Sequence, residues 1–165
     1  LHIYIVYDIN AQDIINAMKT HVDTTLVQKI FRILLAVFML YAGLSHLTFN
    51  RLEFQAQVPD WLPLNKDLVV ILSGIVEVIL GLGLAFWKNQ RINFGWALAL
   101  FFVLIFPGNI AQYLDGKDAF GALNSDQARL IRLFFQPVLI IWAIWSSGAW
   151  KAWRIRNTEK SISNE

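Results

Sequence analysis

Apolar residues along this chain neither alternate nor keep to one narrow stripe; they run on. Four stretches, 27–47, 68–87, 92–114 and 130–150, are almost continuously apolar. A helix of about 20 residues, rising 1.5 Å per residue, crosses a hydrocarbon core of about 30 Å. In lipid a backbone must satisfy its own hydrogen bonds, and these runs lack the alternation of barrel strands, so the spans are predicted as helices. The pattern predicts an all-α, polytopic membrane protein: a four-transmembrane-helix bundle over 26–150, preceded by a segment 1–25 and followed by a basic tail 151–165. Little more than Lys88, Asn89, Gln90 and Arg91 joins the second run to the third, which predicts an antiparallel hairpin.

Composition supports this reading. Of 165 residues, 56% are hydrophobic and 16% charged, with a mean hydropathy of +0.48, rare for a soluble domain. The net charge of +2 becomes informative through its distribution. Lys19, Lys29, Arg32, Lys88, Arg91, Lys151, Arg154, Arg156 and Lys160 fall on one side, and Arg51, Lys66, Lys117, Arg129 and Arg132 on the other. By the positive-inside rule both termini are expected in the cytoplasm. The positive charge therefore describes topology and gives no reason to expect nucleic acid as a partner. There is no cysteine, so thiol exchange and iron–sulfur ligation within the chain are excluded. His2, His21 and His46 do not form a metal-ligand set.

Residues 1–25 are too polar to span and lack the basic start of a signal peptide. The chain begins with leucine, read either as an alternative start codon or as an upstream extension with Met18 as the natural start; no function is assigned to this segment.

The polar and small residues within the spans carry the chemistry. In the second run Ser73, Gly74, Glu77 and Gly81 recur at helical spacing, which predicts a closely packed face carrying a carboxyl group. Glu77 lies about 14 Å into its span, near the midplane. A charge there costs about 3 kcal/mol or more, so it finds a cation or takes a proton. Arg132, which shares a face with Gln136, is the expected partner, since its guanidinium fork matches a carboxylate. His46 follows Ala42 and Gly43 on another small-residue face and can donate, accept or relay a proton. Pro107 is expected to bend or interrupt the third helix, giving a kinked span. Gly108 allows close approach, and Asn109 and Gln112 present amides at the same depth. In the first outer loop Pro59 and Pro63 bracket Trp61 as a knuckle at headgroup depth. These groups are expected to surround an outward-opening polar pocket with Glu77 at its floor and the knuckle as its lid. The plainer alternatives stay open: a register-fixing ion pair, a loop-bonded histidine and a simple helix kink.

Taken in order, AGLSHL (42–47), VPDWLP (58–63), SGIVEVILGLGL (73–84), FPGNI (106–110) and RLIRLFFQP (129–137) resemble the DoxX-like family of small bacterial membrane proteins over roughly 29–150. The shared positions are His46, Pro59, Pro63, Gly74, Glu77, Gly81, Pro107, Asn109, Arg132 and Gln136. The resemblance implies a multi-pass protein of the bacterial cytoplasmic membrane and assigns no catalytic residue. Some such proteins are small subunits of quinone-linked oxidoreductases. The leading expectation is an accessory subunit without independent catalytic activity, binding a quinone or similar amphiphile through His46, Glu77, Asn109, Gln112, Arg132 and Gln136. Expected partners are the bilayer, a membrane or membrane-associated oxidoreductase, and further copies of the chain. A non-enzymatic scaffold and a proton-coupled transporter are the alternatives.

Overall fold

A computed structural model describes residues 22–162. The expected features of the first 21 residues, Met18 among them, lie outside this range. Six α-helices follow in order, with no strand among the described residues: α1 (Leu26–Leu47), α2 (Arg51–Phe54), α3 (Lys66–Phe86), α4 (Arg91–Leu114), α5 (Asp126–Ser147) and α6 (Ala149–Ile162). Short 3-10 turns occupy Gln55–Gln57 and Lys88–Gln90. Four helices, α1, α3, α4 and α5, are long and apolar enough to span a membrane, and the chain is a multi-pass membrane protein.

Helix ends follow local chemistry. Thr25 closes a capping box with Gln28 at the start of α1; Asn65 accepts from the Asp67 and Leu68 amides before α3, and Ser125 accepts from the Ala128 amide before α5. These caps satisfy amides that an unassisted first turn leaves bare. The Ser125 cap starts the fourth span four residues before 130. At its far end Gly148, with φ of 81°, takes a left-handed conformation and terminates α5. Trp150, expected on the fourth span, therefore belongs to α6, where it stacks on Trp153.

The short link makes α3 and α4 antiparallel, yet these two helices pack little against one another. The tight pairs are α1 with α3, and α4 with α5. Glycine decides the first pair. A Cβ built on Gly43 would lie 2.7 Å from the Gly74 carbonyl oxygen, and one on Gly81 would lie 3.1 Å from that of Ala36. In the second pair Gly95 lies against Ser147 and Ala143. Lipid supplies no hydrophobic drive between helices, so close backbone approach and dispersion hold these pairs. Leu35, Met39, Leu84, Leu98, Phe102 and Ala143 join them in a common core.

The long loops close over one end of the bundle. Asp60, in the proline-bracketed segment, accepts from Lys66 at 2.5 Å and from Lys117 of the second long loop at 2.8 Å. The bond from Lys117, then that from Lys66, holds the Asp60 carboxyl at about 2, below its ordinary 3.8. A depressed folded value contributes stability that is complete above the ordinary value and is lost as pH falls through the folded one. The clamp should hold from neutrality to about pH 4 and release between about pH 4 and pH 2. Hydrogen exchange at residues 58–63 across that range checks this; loosening at about pH 6 would contradict it.

Candidate functional site

A cavity of about 800 Å³ lies beneath those loops, with walls from all four spans. His46 of α1, Glu77 of α3, Asn109 of α4, and Arg132 and Gln136 of α5 line it, together with Pro59, Trp61, Pro107 and Gly108. Ser45, Asn50 and Ser73 add polar groups that the sequence reading had not placed at a pocket.

The carboxylate partner differs from the expected one. Glu77 Oε2 stands 2.9 Å from His46 Nδ1, whereas no ion pair joins it to Arg132 among the described residues. The reason lies in the glycines. Gly74 sits one turn before Glu77, and a Cβ there would lie 2.8 Å from the His46 Cβ, so α1 and α3 approach closely enough to bring imidazole and carboxylate together. Arg132, on the far wall, donates from Nη1 to Gln112 Oε1 at 2.6 Å instead.

The histidine contact is divided. Nδ1 also lies 2.8 Å from the Ala42 carbonyl oxygen, which can only accept, so the proton is assigned to Nδ1. That N–H is directed at the carbonyl, and the buried Glu77 Oε2 is left without a hydrogen bond. Phe54 stacks on the imidazole, with centroids 3.4 Å apart and planes 18° from parallel, and fixes the ring. Phe120 packs edge-on against Phe54, while its backbone amide donates to Glu53 Oε2 at 2.6 Å. Its φ of 58°, a left-handed value for a bulky residue, is held from both ends by these contacts. The two long loops thus reach His46 through a pair of aromatic rings. No apolar periodicity could have singled out Phe54, because it lies outside the spans.

The amides are largely occupied. Asn109 Nδ2 donates to Gln136 Oε1 at 3.0 Å, and Gln136 Nε2 donates to the Phe102 carbonyl at 2.7 Å. This chain ties α4 to α5 next to Pro107, which lies inside α4 without ending it. Gln112 is buried, but it does not line the cavity; besides accepting from Arg132, it donates to the Lys117 carbonyl at 3.2 Å. It is a brace between span and loop. Gly108 makes room for the lid: a Cβ there would lie 2.5 Å from the Gln57 carbonyl oxygen. Pro59 is buried under the same loop, and Trp61 is 69% exposed. Gly74 and Gly81 serve the α1–α3 contact, and Pro63 stands outside the cavity.

Two features define what this site can do. Its polar floor holds one accepting oxygen without a donor. Its lining includes Tyr41, Leu104 and Phe135, each 60% exposed or more, so the apolar wall of the cavity continues onto the outer surfaces of the spans.

A family model described as Domain of unknown function (DUF8561) matches residues 35–147. The match takes in His46, Glu77, Asn109, Arg132 and Gln136 and both long loops. No curated protein and no solved structure matches the chain.

Proposed function

The chain belongs to the DUF8561 family, and from that premise we propose that it is an accessory subunit of a quinone-linked membrane redox system. The observation that carries this reading is the cavity with the undonated Glu77 Oε2 at its floor and an apolar lining that continues onto exposed side chains of the spans. A quinol hydroxyl supplies the missing donor, its ring suits the apolar wall of Phe38, Leu104 and Phe135, and its tail can remain in lipid. Arg132 stands across the cavity as a donor toward the second ring oxygen. The resemblance to DoxX-like proteins read from the sequence supports the same reading, and by the positive-inside rule we infer cytoplasmic termini and an outward lidded end in a bacterial cytoplasmic membrane. The chain binds and orients; electrons come from and go to a partner oxidoreductase.

Native mass spectrometry of the mildly purified protein, followed by extraction of small molecules, tests this. Wild type should retain a quinone-class molecule, and Glu77→Gln, which keeps the shape and removes the carboxylate, should lose about nine-tenths of it, a loss equivalent to one charge-assisted hydrogen bond. An intact but empty wild type, also unable to take up added ubiquinone or menaquinone, would refute the proposal.

A scaffold reading draws on a different observation. The Asn109–Gln136–Phe102 chain is bonded internally and joins two spans, as a device for fold specificity would be. In that case partner recovery, rather than ligand, should fall in Gln136→Leu.

A further inference from the structure

The opposite end of the bundle buries a cation. Arg32 lies on the interior face of α1, one turn before Leu35 and Ala36, and is 6% exposed. Among the described residues it forms no ion pair, and its Nε is buried without a hydrogen-bond partner. Long helical side chains lean toward the N-terminus of their own helix. The Arg32 guanidinium therefore returns toward the level of Gln28, whose Nε2 donates to the Trp145 carbonyl at 2.8 Å. The next residue of α5, Ser146, is fully buried, and its Oγ is also unpartnered.

Arg91 arrives from a third helix. It opens α4, donates to the carbonyls of Lys88 and Val22, and keeps a buried Nε with no partner. One turn later Gly95 rests against Ser147, which sets the start of α4 beside the end of α5. Val22, whose carbonyl accepts from Arg91, lies against Gly148 just beyond α5, which brings Arg91 to the end of the bundle where Ser146 and Arg32 are buried. Two guanidinium groups with buried, unfilled donors repel each other and forgo hydration, an arrangement that an anion between them would reverse.

We propose that Arg32, Arg91 and Ser146 form a binding site for a phosphate oxyanion at this end of the bundle. Guanidinium forks match phosphate oxygens in pairs, the serine hydroxyl can donate to a third, and two positive charges suit a phosphate. Arg32 is about 9 Å along α1 from its start, and its side chain turns back toward the surface, a depth that a lipid headgroup reaches. A soluble phosphate compound entering from the aqueous side has the same chemistry. The site is remote from the His46–Glu77 cavity and independent of the reading given to it.

The full chain in mild detergent, stripped of lipid, provides the test. Phosphatidylglycerol, phosphatidylcholine and inorganic phosphate are added separately, and adducts are followed by native mass spectrometry and stability by thermal unfolding. Phosphatidylglycerol retained by wild type and held about tenfold more weakly by Arg32→Met, with partial recovery in Arg32→Lys, identifies a lipid phosphate. Stabilisation by inorganic phosphate over equal chloride, lost in Arg32→Met and without preference for phosphatidylglycerol, identifies a soluble one. No probe distinguishing wild type from Arg32→Met overturns the site. Should Arg32→Met not fold, Arg91→Gln carries the same comparison.

Discussion

His46→Leu is expected to destabilise the folded chain by about 2 kcal/mol, the cost of leaving the buried Glu77 carboxyl group against an apolar side chain in place of a polar one. The pair is well shielded: the His46 and Glu77 side chains are 10% and 6% exposed. Glu77 Oε2 already lacks a hydrogen bond, so removing the imidazole takes away the polar ring that stands 2.9 Å from it. Phe54 loses its stacking partner as well, which should loosen the contact through Phe120 to the second loop. The double variant His46→Leu/Glu77→Leu should regain most of the loss, because no buried carboxylate remains to be compensated. Thermal or denaturant unfolding in detergent of the wild type, both single variants and the double variant completes the cycle. Additive losses would mean that the 2.9 Å contact carries no coupling. The same set separates stability from binding, since Glu77→Gln should lose ligand while retaining most of its stability.

Gly43→Val should have an effect of similar size by a different route. Its Cβ would meet the Gly74 carbonyl oxygen at 2.7 Å and the Val78 amide nitrogen at 3.0 Å. Both obstacles are backbone, which cannot rotate aside, so α1 and α3 must separate. Overpacking of this kind costs about 1–3 kcal/mol, and here it also draws His46 away from Glu77. The expected signature is a lower unfolding temperature together with loss of the Glu77-dependent ligand. By contrast, Gly121→Ala meets no atom within 4 Å, and only its φ of 62° opposes the substitution, so its cost should be smaller. A Gly43→Val protein as stable as wild type would show that the α1–α3 contact is looser than described.

What could be read along the chain was whatever depends on local composition. The four spans are continuous apolar runs, and their ends fall where Thr25, Asn65 and Ser125 can cap or where Gly148 can turn. Glu77, His46, Asn109, Arg132 and Gln136 stood out because polar groups in such runs are costly, and all five line one cavity. Which of them would touch was not readable in this way. Arg132 has the stronger charge and the longer reach, and it was the natural partner for Glu77. Gln112 intercepts it, however, and the glycine contact gives the carboxylate to histidine.

Arg32 illustrates the same limit. In sequence it is one of several basic residues marking the side of the membrane on which the termini lie. Only the assembled bundle buries it, with no ion pair among the described residues, at the end where Ser146 is also buried and unpartnered. Hydrophobic transfer into lipid acts on each segment separately, so the sequence by itself determined an all-α protein with four membrane-length helices and a set of buried polar residues. The pairing of α1 with α3, the division of His46 between Ala42 and Glu77, and the burial of Arg32 were decided by tertiary structure. The physical reason is range: a backbone approach at one glycine, or a hydrogen bond a few ångströms long, depends on which helix faces which, and chain order does not specify that.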